Sequence, residues 1–113
     1  MTQKDGNYID KDKLELTALE YMKYFKGEGG NPEPFGAMLL QLHDNILEHS
    51  NFRGYDDEVK DEMRGYSIMR ILKRGLNTWM PEKGRLFSYL TRAIFRNYIT
   101  ILGKHYKRIN RHR

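Results

Sequence analysis

The chain contains no cysteine. No disulfide can brace it and no thiolate chemistry is available to it, which fits a reducing compartment. It has no apolar run near the roughly 20 residues that a membrane helix needs, so no membrane association is expected. Its opening, MTQKDGNYIDKDK, carries no apolar signal core, so secretion is not expected either. The groups that usually carry catalysis are missing too. No serine sits in a nucleophile-type turn, and no HExxH helix or phosphate-cradling loop is present. The glycines at 27, 29 and 30 follow no strand. Paired carboxylates occur only at 56–62, a helix start that should face water, whereas acid–base catalysis wants a desolvated pocket. The chain therefore reads as a non-enzyme that needs no cofactor.

What is present is charge, unevenly placed. Residues 1–62 carry 7 basic and 14 acidic side chains, and residues 63–113 carry 13 basic and 1 acidic. The halves differ in sign, −7 against +12, inside a chain of net charge +5 and pI about 9.5. Such polarity points to two surfaces: one for a partner's cations, the other for phosphate.

At 113 residues the chain is one small domain. Apolar spacings of three and four predict an all-α fold of about four helices. The first runs from Asp10 to Lys26, with Leu14, Ala18, Tyr21, Met22 and Phe25 on one face and Asp10 or Asp12 as cap. Glycines and Pro32 end it. The second runs from Pro34 to Ser50 on Phe35, Met38, Leu39, Leu42, Ile46 and Leu47. His43 and His49, six apart, read as solvated helix histidines rather than metal ligands. A turn with two aromatic anchors, Phe52 and Tyr55, leads to an acid-led third helix. Val59, Met63, Ile68, Ile71, Leu72 and Leu76 form its apolar face. Met80–Gly84 is a turn. Ser88 is the expected cap of a last helix running to at least Tyr106, with Leu90, Ile94, Tyr98, Ile101 and Leu102 inward. Residues 1–9 are expected to be a flexible arm, 10–106 the helical domain and 107–113 a basic tail.

In the basic half, aromatic residues interleave with cations: Tyr89, Phe95, Tyr98 and Tyr106 among Arg92, Arg96, Lys104, Lys107 and Arg108. Cations neutralise phosphates and rings stack on unpaired bases. Phe95 and Tyr98 read more readily as plain core residues. On these residues alone the chain is a helical nucleic-acid-binding domain.

The order of its motifs adds a resemblance. Roughly residues 62–100 resemble region 2 of the bacterial sigma-70 family of transcription initiation factors. The matching pieces are Asp61-Glu62, Leu72, Lys83-Gly84, Phe87-Ser88 and Phe95-Arg96-Asn97-Tyr98-Ile99-Thr100. The chain is most similar to the small late-transcription sigma factors of T-even-type bacteriophages. They share the Phe52-Arg53-Gly54-Tyr55 turn, Glu62-Met63, Gly75-Leu76, Tyr89 followed by an aliphatic residue and Thr91, and the basic continuation. The likeness covers roughly residues 50–108.

The resemblance implies a bundle like sigma domain 2, working in the cytoplasm of an infected bacterial host. It implies that Asp61, Glu62, Tyr66, Met69, Arg70 and Lys73 dock on the clamp coiled coil of the largest subunit of bacterial RNA polymerase core. It also implies that Tyr89, Arg92, Phe95, Arg96, Asn97, Lys104, Lys107 and Arg108 meet promoter DNA at an upstream, A/T-rich element and help to open it. The tryptophan pair that primary sigma factors use as a wedge is replaced here by Ala93 and Ile94. Any link to a phage co-activator or sliding clamp would run through another protein. Two other readings stand beside this one: a stand-alone DNA- or RNA-binding module, and a phage protein that binds and inhibits host RNA polymerase.

Overall fold

The computed structural model describes residues 8–48 and 51–111, the side chains of 108–111 excepted. Helix α1 spans Lys11–Phe25, α2 Glu33–Glu48, α3 Asp57–Arg70, α4 the single turn Leu76–Thr78, and α5 Leu86–Arg111. A π-helical segment, Ile71–Gly75, carries α3 into α4, and a 3-10 turn at Pro81–Lys83 leads to α5. Among the described residues there is no strand. The fold is all-α with four main helices, as the spacings predict. No helix among the described residues is long and apolar enough to cross a membrane.

Local signals start the first two helices. The Asp10 carboxylate accepts from the backbone N–H of Asp12 and Lys13, at 3.0 and 3.1 Å, so it is the cap of α1. Asn31 Oδ1 accepts from the N–H of Glu33 at 3.1 Å where α2 begins, with Pro34 in the first turn. Between them Gly30 has a positive φ of 89°, and a Cβ there would lie 2.4 Å from the Glu20 carbonyl oxygen. Only glycine fits so tight an exit from α1.

The core is one cluster shared by all four main helices, and α5 lies chiefly against α3. On α5 Leu86, Leu90, Ala93, Ile94, Tyr98, Ile101 and Leu102 are buried, one stripe at spacings of three and four. Phe52 is buried too and sets its ring edge-on to Tyr98, with centroids 5.3 Å apart. The π-segment has a packing consequence. Ile71 and Leu76 would lie about 140° apart on a regular helix of about 100° per residue. Here the N–H of Leu76 bonds back five residues to the Ile71 carbonyl, and both side chains are fully buried.

Several expectations need correction. Phe25 is 68% exposed, at the very end of α1 where the chain turns away into the glycines. Ile9 belongs to the core, so the arm ends before it; residues 1–7 lie outside the described residues. Helix α5 runs on to Arg111, so residues 107–111 continue the helix rather than start a tail. His43 is fully buried, not solvated; His49 lies outside the described residues.

Ser88 does not cap the last helix. Helix α5 starts two residues earlier, and Glu15 of α1 does what a local serine would have done. Its Oε2 accepts from the N–H of Leu86 at 3.1 Å and from Arg85 Nε at 2.9 Å, while Arg85 also reaches Asp12 at 2.7 Å. The ion pairs are exposed and weak; the bond to an otherwise orphaned helix N–H is the stronger part. Glu15→Ala is expected to cost about 1 kcal/mol in urea denaturation, and Asp12→Ala much less. Equal losses from the two would mean that the cap adds nothing beyond the ion pair.

Candidate nucleic-acid interface

Helix α3 is built as an acid-to-base rod. At about 1.5 Å rise per residue, its acidic start at Asp57 lies roughly 25 Å from Arg74. Asp56, Asp57, Glu58, Asp61 and Glu62 are all exposed, next to the positive end of the helix dipole. Asp61 does not stand alone. Arg64 donates to it at 2.7 Å and to Asp44 of α2, also at 2.7 Å, clamping α2 to α3. Further along the outward face, Met69 is 51% exposed and Lys73 is exposed.

Tyr66 is half-buried and holds two cations on its ring: Arg70 at 5.7 Å and Lys104 at 5.4 Å. One of these was expected to face the polymerase and the other DNA. The two expected surfaces therefore meet at Tyr66.

They meet again in a cleft between the π-segment and α5. Arg70 and Arg74 come to it from one side, Arg96, Asn97 and Tyr89 from the other, and its volume is about 190 Å³. Two hydrogen bonds tie its walls together. Tyr89 Oη donates to the Gly75 carbonyl at 3.0 Å, where Thr78 Oγ1 also donates at 2.9 Å, and the two hydroxyls touch each other. About two turns along α5, Asn97 Nδ2 donates to Ser67 Oγ at 3.1 Å.

The Asn97–Ser67 bond continues inward, and its direction can be worked out. His43 Nδ1 lies 2.8 Å from the Leu39 carbonyl, which can only accept, so Nδ1 carries the proton. His43 Nε2 must then accept, and it takes the hydroxyl proton of Ser67 at 2.8 Å. Ser67 in turn accepts from Asn97. Burial holds the His43 imidazole neutral: desolvation lowers its pKa to about 4, against the Leu39 bond and Asp44, which favour the charged form, and with Arg64, which opposes it. Tyr98 Oη donates to the His43 carbonyl at 3.2 Å, closing the network around α5.

The residues expected to meet DNA fall into three groups. Arg92, Arg96, Lys104 and Lys107 are exposed along α5. Tyr89, Phe95 and Asn97 are half-buried and already engaged; the Phe95 ring packs 5.4 Å from that of Phe52. The Arg108 side chain lies outside the described residues. Tyr98, a candidate for stacking, is fully buried and cannot reach a base. Trp79 is core as well, its indole N–H donating to the Gly84 carbonyl at 3.0 Å. Arg74, Ser67 and His43 had not been singled out for the site. His43 and Ser67 each lie four residues from core positions on both sides, Leu39 and Leu47, Met63 and Ile71, and that spacing was the available signal.

No protein-family model matches the sequence, and no curated protein matches it.

Proposed function

We propose that the chain is a minimal sigma-like transcription initiation factor. It binds bacterial RNA polymerase core through the outward face of α3 and directs the enzyme to phage late promoters through α5. The observation that carries this reading is the rod of α3 itself. Its exposed acidic start lies about two turns or more along one helix from a cluster of arginines that faces the basic stripe of α5, with Met69 exposed at the near edge of that cluster. A plain nucleic-acid-binding module has no use for the first surface, and an inhibitor of polymerase has no use for the second. The sequence likeness to sigma region 2 supports the same assignment. Phosphate contacts along α5 fix register, and contacts to unpaired bases of an A/T-rich element supply specificity. Opening then follows from binding the melted state better than the duplex, without a covalent step.

The test is transcription in vitro with purified bacterial core polymerase, with and without the protein, on DNA from its own genome. The reading expects discrete new start sites that share an upstream element. Arg92→Ala with Arg96→Ala should weaken opening while core binding persists, and Met69→Asp should weaken core binding. Core binding without new starts would leave an inhibitor; no core binding would leave a nucleic-acid-binding module.

A further inference from the structure

We propose that the cleft between the π-segment and α5 is a seat for one backbone phosphate of a nucleic-acid strand, held by Arg70, Arg74 and Arg96. The proposal deepens the functional reading above and rests on it for the source of the phosphate. It moves Arg70 from the polymerase face to the DNA face and adds Arg74, so that the phosphate is gripped by α3 as well as by α5.

Three observations carry it. None of the three guanidinium groups has a carboxylate partner among the described residues, although other arginines of the chain, Arg64 and Arg85, are each paired twice. Three like charges around one hollow repel each other, and an anion between them removes that repulsion. The hollow is also fixed in width. The Tyr89–Gly75 and Asn97–Ser67 bonds pin its walls, the second backed by buried His43, so an incoming anion meets an arranged site and loses little in ordering it. Finally, size selects the ligand. At about 190 Å³ the hollow is smaller than the roughly 300 Å³ at which small-molecule pockets begin. It admits a phosphate group and leaves the rest of the strand outside. Arginine suits this role, because its planar fork matches phosphate oxygens in pairs.

The test is fluorescence anisotropy of a labelled single-stranded oligonucleotide against the intact protein at several salt concentrations. Arg74→Ala and Arg70→Ala should each weaken binding about tenfold, whatever the base sequence. Each should also make the salt dependence shallower by about 0.7 in log–log slope, the value for one phosphate on a single strand. The double variant should lose little more than either single one, because both arginines hold the same group. Lys23→Ala, which removes an exposed charge on α1, should leave binding unchanged. Oligonucleotide binding as in the wild type for both arginine variants overturns the proposal. Competition by millimolar inorganic phosphate in the wild type but not in Arg74→Ala supports the seat; phosphate binding there with no effect of either variant on the oligonucleotide overturns the assignment to a strand. The assay contains no polymerase, so it decides the seat even if the transcription experiment fails.

Discussion

Acidification from pH 7 to pH 4 is expected to remove roughly 3 kcal/mol of folding stability through His43 alone. The imidazole has an ordinary value of 6.5, and burial lowers it to about 4 in the folded chain. Because the folded value is the lower one, the unfolded chain takes up the proton first as pH falls. Stability from this group is complete above about pH 6.5, declines by about 1.4 kcal/mol per pH unit below it, and levels off below about pH 4. Protonation also breaks the direction of the network, since a charged imidazole can no longer accept from Ser67. Asp44 and Arg64 lie close enough to modulate the effect in opposite senses. Urea denaturation at pH 7, 5.5 and 4.5 measures it, with His43→Gln as the non-titrating reference. The wild type should fall towards the variant as pH drops. Parallel curves for the two proteins would show that His43 does not titrate in this range.

The second large effect is at Tyr98. Tyr98→Ala should cost about 3–5 kcal/mol, as truncation of a buried aromatic does, out of a total that for small domains is about 5–15 kcal/mol. Tyr98→Phe should cost about 1 kcal/mol, the hydrogen bond to the His43 carbonyl. Thermal or chemical denaturation separates this from a stacking role. A ring that met a base would leave stability unchanged in both variants and appear only in oligonucleotide affinity.

Much of this architecture is legible in the sequence, for identifiable reasons. The inward stripe of α5 follows from spacing alone, since a 26-residue helix has room for several repeats of the pattern. The Asp10 cap is local and could be read directly. Ser88 misled because the true cap, Glu15, is brought to Leu86 by tertiary structure. The π-segment left one trace, two core residues five apart at Ile71 and Leu76, which a regular helix cannot reconcile. His43 was misread because histidine is more often solvated on a helix than buried; its partner Ser67 lies 24 residues away. The candidate surfaces are partly legible: charge polarity points to two faces, but only the folded chain brings Arg70 and Arg74 opposite Arg96.

The cap on α5 also sets an order of events during synthesis. Glu15 leaves the ribosome 71 residues ahead of the Leu86 N–H that it will hold. At about 5–20 residues per second this is a delay of roughly 4–14 s. For that interval α1 carries its carboxylates without Arg85, while the apolar faces of α1 and α2 are already able to meet. The basic helix then arrives to an acceptor that is waiting for it.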